Sequence, residues 1–216
     1  MNFEGRDILS VKDLSRAEIQ HIFEVAEGFE PIISRRTKTD ILNDKILATL
    51  FFQPSTRTRL SFESAMHRLG GSVIGFADPG VSRAGDIHAE TLEDTARVVQ
   101  PYADVVALRH HQKGTPAKFA EYADIPVINA GDGYGDGSEH PTQALLDLYT
   151  IYREKGEVDG LSITLMGNLL FRTMSSLVYG LAKFDNVKMY LLSPPNLRLV
   201  ESTKEYLDRA NSSFQY

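Results

Sequence analysis

The chain has 216 residues, a formal net charge of −6, 42% hydrophobic and 24% charged residues, and no cysteine. That is ordinary globular composition, and it excludes a disulfide framework, a thiol nucleophile and a cysteine-bound zinc. The acidic balance argues against nucleic acid as a partner, no apolar run approaches the roughly 18 residues of a membrane span, and the N-terminus lacks the charged-then-apolar order of a signal peptide, so a cytoplasmic protein is expected. Ser15-Arg16-Ala17-Glu18 has the form of a capping box and predicts a helix to about Gly28, with Ile33 to Asp44 as a loop. Ile46 to Phe52 is a short apolar run that reads as a buried strand, Gln53-Pro54-Ser55 as a turn, and Thr56 to Leu69 as a helix stopped by Gly70-Gly71. The alternation repeats with strands at Ser72 to Phe76, Val105 to Arg109 and Pro126 to Asn129, and helices at Thr91 to Gln100 and Pro116 to Tyr122. A glycine-rich loop, Gly131 to Ser138, precedes a helix from Pro141 to about Lys155, started by proline at its first position. After Gly156 to Gly160 come a strand (Leu161 to Met166), a helix (Thr173 to Lys183), a strand (Val187 to Leu192) and a helix (Asn196 to Arg209).

Alternating strands and helices predict an α/β fold, a three-layer parallel sheet with helices on both faces. Two similar domains are expected, residues 1–155 and 156–216, the second incomplete because two strands make a poor independent sheet. In such folds ligands lie at the carboxyl ends of the strands.

Four loops carry the candidate chemistry. Ser55-Thr56-Arg57-Thr58-Arg59 sits between a buried strand and a helix, where free amides, hydroxyls and guanidinium make an anion site; the same residues also read as an N-cap followed by solvent-facing arginines. His140-Pro141-Thr142-Gln143 opens a helix with His140 and Gln143 on one side, suited to polarising a carbonyl and binding an amide, or simply to capping. Arg109 ends the apolar strand Val105-Val106-Ala107-Leu108, either facing a ligand or leaving the sheet for water. Arg172 follows another strand in Gly167-Asn168-Leu169-Leu170-Phe171-Arg172-Thr173, in a crevice loop or on a helix surface. His110-His111 is read as one buried and one exposed histidine, and no metal site is expected. The glycine loop fails the dinucleotide-binding spacing, there is no Walker A lysine, and no cofactor is expected.

In this order the four motifs resemble the aspartate/ornithine carbamoyltransferase family, and Asn129-Ala130-Gly131-Asp132-Gly133 ahead of His140-Pro141-Thr142-Gln143 looks like its aspartate branch. The resemblance runs from Met1 to about Leu207. It implies transfer of the carbamoyl group of carbamoyl phosphate to L-aspartate in pyrimidine synthesis, with ornithine as the rival amine and a catalytically silent carbamoyl-phosphate binder as the rival class. By resemblance, Ser55, Thr56, Arg57, Thr58 and Arg109 hold the phosphate. Thr58, Arg109 and His140 polarise the carbonyl, Gln143 orients the carbamoyl nitrogen, and Arg172 pairs with the α-carboxylate of aspartate. The loop holding Ser82 and His88 would serve a neighbouring subunit, which implies a homotrimer and leaves room for a regulatory subunit.

The chain departs from the family pattern in four places. Gln53 stands where glutamate or lysine is usual, His88 stands where a lysine is expected, and the Arg172 loop is one residue short. The family also continues for several strand–helix units beyond the point where this sequence stops. The chain is therefore expected to hold the carbamoyl-phosphate half and part of the amino-acid half.

Overall fold

The apolar runs become strands. In the computed structural model, which describes residues 2–85, 89–210 and 212–216, β1 (Ile46–Phe51), β2 (Ser72–Phe76), β3 (Val105–His110) and β4 (Val127–Asp132) form an all-parallel sheet in the order β2-β1-β3-β4. A second parallel sheet contains β5 (Ser162–Met166), β6 (Lys188–Leu192) and β7 (Ser213–Gln215), in that order. The helices are α1 (Arg16–Ser34), α2 (Thr56–Arg68), α3 (Leu92–Val99), α4 (Thr115–Ala120), α5 (Pro141–Lys155), α6 (Arg172–Leu181) and α7 (Glu201–Arg209).

β1 shows why the first sheet is covered on both faces. Its alternate side chains enter two different cores. Ala48 and Leu50 join Ala96 of α3, Phe119 of α4, and Val106, Leu108 and Val127 of the neighbouring strands. Leu47 and Phe51 join Met66 of α2 and Ala107 and Ala130. In the second sheet Leu165, Met189 and Leu191 are buried, whereas Met166, Tyr190 and Leu192 on the opposite face are exposed. The largest core joins the N-terminal region and α5 to the second sheet: Leu14, Ile19, Phe23 and Leu148 pack with Leu165, Leu177, Leu181, Met189 and Leu191. Polar ties repeat this link, with Arg16 paired to both Asp159 and Asp185. Among the described residues, no helix is long and apolar enough to cross a membrane.

Three elements differ from the sequence expectation. The capping box at Ser15 and Glu18 forms as expected, but α1 runs through Gly28 and Pro31 to Ser34. Contacts from α5 hold this extension: Arg153 pairs with Glu27 and Glu30, and the Tyr149 hydroxyl donates to Glu30 at 2.6 Å. Tertiary contacts thus outweigh the local penalty of glycine, about 1 kcal/mol relative to alanine. α7 begins at Glu201 rather than Asn196, because Pro194 and Pro195 lead into a 3-10 turn over Pro195–Leu197. The second sheet gains β7, a three-residue strand paired with β6 and too short to show a period of its own.

Leu148 is fully buried where α5 meets α6, and its Cδ1 lies 2.5 Å from where a Cβ on Gly180 would stand. Leu148→Ala opens a void between α5 and α6, and urea denaturation should show a loss of about 2–5 kcal/mol.

Candidate active site

The carboxyl ends of β1, β3, β4 and β5 release their chains into loops that face one another. The cleft among them has a volume of about 980 Å³. Ser55, Thr56, Arg57 and Thr58 line it from the start of α2, Arg109 from β3, His140 and Gln143 from the start of α5, and Arg172 from the start of α6. All eight residues that the sequence assigned to one ligand site within the chain therefore meet in one cavity.

The α2 end is open to an anion. Ser55 is the N-cap in extended conformation, yet its hydroxyl makes no capping hydrogen bond, and the first turn carries no acidic residue. Amides, hydroxyl and macrodipole are all left for a ligand. Arg59 is used elsewhere: its Nε donates to Glu63 at 2.6 Å, and Glu63 also accepts from Thr49. Arg57 is exposed and lines the cleft.

Two further guanidiniums converge on Gly131. A Cβ there would lie 2.7 Å from Arg109 Nη1, 3.0 Å from His140 Cδ2 and 3.2 Å from Arg172 Nε, and φ is +107°. Glycine is required on both counts. Arg109 donates from Nη1 to the Ala130 carbonyl at 3.1 Å, while its Nε is buried with no partner. Arg172 is 8% exposed and donates to the Gly133 carbonyl at 2.6 Å and to Gln53 Oε1 at 2.9 Å. Both arginines thus have only neutral partners, and among the described residues none of Arg57, Arg109 and Arg172 pairs with a carboxylate. Burial, then repulsion from Arg172, pulls Arg109 down to about 10, and burial also lowers Arg172. Buried Asp132 draws Arg172 in the opposite direction, but its carboxylate is already occupied by the amides of Gly114 and Glu139 and by Asn129.

His140 lies 5% exposed between these charges. Burial first, then Arg109 and Arg172, pulls its imidazole down to about 3, so it is neutral at physiological pH. Its amide donates to Ser176 Oγ at 2.9 Å, and its Nε2 lies 3.4 Å from Thr58 Oγ1. The preceding Glu139 anchors this turn through Ser10, the Val11 amide and Lys12. Gln143 donates from Nε2 to Asp147 at 2.9 Å. With Nε2 engaged, its Oε1 remains as the acceptor of the side chain.

Some sequence readings change. Gln53, noted only as a departure, is an anchor for Arg172; its place directly after the β1 run was the available signal. Tyr134 and Phe171 also line the cleft, and neither was singled out. The rings of His110 and His111 stack at 4.2 Å rather than pointing to opposite faces, because His111 lies beyond the end of β3; His110 is half-buried and His111 exposed. Ser82 is not among the cleft residues, and its hydroxyl donates to the Pro79 carbonyl in its own loop at 3.0 Å. His88 lies outside the described residues. Among the described residues no cluster of histidine and acidic side chains could hold a metal ion.

The family model for the carbamoyl-phosphate-binding domain of aspartate/ornithine carbamoyltransferases matches residues 6–153. The chain is 50% identical over 208 residues to the aspartate carbamoyltransferase catalytic subunit of Thermococcus gammatolerans, covering 96% of this chain and 66% of that protein. It is 46% identical to the crystallised catalytic subunit of M. jannaschii aspartate transcarbamoylase, with a TM-score of 0.86 over 97% of this chain and 67% of the other. The Trypanosoma cruzi aspartate transcarbamoylase in complex with N-(phosphonacetyl)-L-aspartic acid is 35% identical, with a TM-score of 0.89, and is 69% covered. The chain spans just under two-thirds of the length of the curated relatives it matches, 66% of the Thermococcus gammatolerans protein and 63% of that from Thermococcus kodakarensis.

The depressed His140 has a consequence for stability. An unfolded histidine titrates near 6.5, and folded His140 at about 3, so between these values the unfolded chain binds the extra proton. The contribution is fully present above about pH 6.5 and is lost as pH falls toward 3, at about 1.4 kcal/mol per unit. Urea midpoints measured between about pH 7 and 5 should therefore fall less steeply in His140→Gln than in the wild type.

Proposed function

The chain belongs to the aspartate/ornithine carbamoyltransferase family, and we propose that it binds carbamoyl phosphate in the cleft and transfers the carbamoyl group to the amine of L-aspartate, giving N-carbamoyl-L-aspartate and phosphate. The observation that carries the reading is the set of guanidiniums, Arg57, Arg109 and Arg172, gathered without carboxylate partners beside an open helix N-terminus. Such a site is built for an anion with more than one charge.

In this reading the phosphate sits on the α2 amides and on the hydroxyls of Ser55, Thr56 and Thr58, between Arg57 and Arg109. The carbonyl oxygen of the mixed anhydride faces Thr58, Arg109 and His140. A neutral imidazole suits that place, since it donates a hydrogen bond to the growing oxyanion without adding a positive charge to those of the three arginines. Gln143 Oε1 accepts from the carbamoyl nitrogen, and Arg172 takes the α-carboxylate of the amine substrate. The amine lone pair attacks the carbonyl carbon, the bond from carbon to the bridging phosphate oxygen breaks, and the departing phosphate accepts the amine proton. Positioning and charge stabilisation do the work, and no covalent nucleophile is needed.

Residues 1–155 would then be the carbamoyl-phosphate unit and residues 156–216 part of the aspartate unit, in a cytoplasmic enzyme. Ser82 lies outside the cleft of its own chain, which supports assigning its loop, together with His88, to a neighbouring subunit's site in a homotrimer.

A colorimetric ureido assay with carbamoyl phosphate should give product with aspartate. Product with ornithine alone would overturn the assignment of the amine. Binding of carbamoyl phosphate without turnover would favour a catalytically silent binder. Arg57→Ala should lower kcat/KM by about a hundredfold or more, through loss of a charge-assisted phosphate contact. Retained activity in that variant would remove Arg57 from the phosphate site.

A further inference from the structure

The aromatic rings at the Arg172 end of the cleft are not among the phosphate contacts proposed above. Phe171 immediately precedes Arg172, and Tyr134 immediately follows Gly133, whose carbonyl accepts the Arg172 hydrogen bond. The two rings therefore stand at the two ends of the bond that fixes this guanidinium. They meet edge to face, with centroids 5.6 Å apart and planes at 86°, and both line the cleft. One ring comes from the loop after β4 and the other from the loop after β5, so the contact joins the two sheets across the mouth of the cavity. Tyr134 is 58% exposed and Phe171 48% exposed, so neither is a core residue. The Tyr134 loop is tethered on both sides: Asp136 accepts through its carboxylate from Ser202 and through its carbonyl from Lys113. The Tyr134 hydroxyl itself faces Asn168 Nδ2 at 3.4 Å. A wall held this way keeps its distance from Arg172.

We propose that Tyr134 and Phe171 form a specificity wall on the amine side of the cleft. They pack against the carbon chain of an amino acid whose carboxylate is held by Arg172, and so set the chain length that fits. This rests on the transfer to an amino acid proposed above. A fixed guanidinium beside a fixed apolar wall would admit a four-carbon dicarboxylic amino acid and crowd its homologue one methylene longer.

Titration calorimetry on the full chain tests this with three probes: inorganic phosphate, N-(phosphonacetyl)-L-aspartate and its glutamate homologue. The wild type should bind phosphate and prefer the aspartate compound. Tyr134→Ala and Phe171→Ala should each lower that preference about three- to tenfold, the range expected for one aromatic contact. Phosphate affinity should stay within about twofold, as neither ring is among the phosphate contacts proposed above. Tyr134→Phe, which keeps the ring, should retain the preference. An unmoved preference, a parallel fall in phosphate affinity, or a wild type that binds phosphate but neither bisubstrate compound would overturn the wall. Failure of the wild type to bind phosphate would overturn the functional reading, and the wall with it.

Discussion

A buried arginine, Arg172, beside a half-buried one, Arg109, with no carboxylate bonded to either, is the constraint around which the cleft is arranged. Burial lowers both Arg109 and Arg172, and repulsion from Arg172 lowers Arg109 further. The fold holds them with neutral acceptors: the carbonyls of Ala130 and Gly133 and the amide of Gln53. These acceptors fix direction without cancelling charge. A carboxylate in place of any of them would lock the guanidinium in an ion pair and weaken its attraction for a ligand.

The backbone makes this arrangement possible. Parallel strands aim their carboxyl ends the same way, so four loops from two sheets open on one side. Gly131 then lets Arg109, His140 and Arg172 approach a single point, and Asp132 next to it ties the loops after β3 and β4 together. Burial first, and then the charges of Arg109 and Arg172, keep His140 neutral and so able to serve as a hydrogen-bond donor without adding charge. The core that runs from α1 and α5 into the second sheet keeps Arg172 in register with residues more than a hundred positions away, Gln53 among them.

Much of this was legible before any coordinates. The strand runs, the capping box at Ser15 and the proline start of α5 are local signals, and they survive because their neighbours along the chain enforce them. The α1 extension was not legible, since Gly28 and Pro31 oppose it locally and only Arg153 and Tyr149 of α5 sustain it. β7 was hidden for a similar reason: three residues carry no period, and pairing with β6 decides them.

The sequence by itself determined which residue types stand at the ends of the strands: Ser55 to Thr58, Arg109, His140 to Gln143 and Arg172, each at a strand-to-helix junction where backbone amides and long side chains face a crevice. Only the tertiary structure decided their partners. That Arg59 turns to Glu63 while Arg57 faces the cleft, that Gln53 rather than an acid anchors Arg172, and that Tyr134 meets Phe171 are facts about distance in space. Periodicity and capping report on neighbours a few residues apart. The charge state of His140 and the wall beside Arg172 depend on groups brought together by the packing of two sheets.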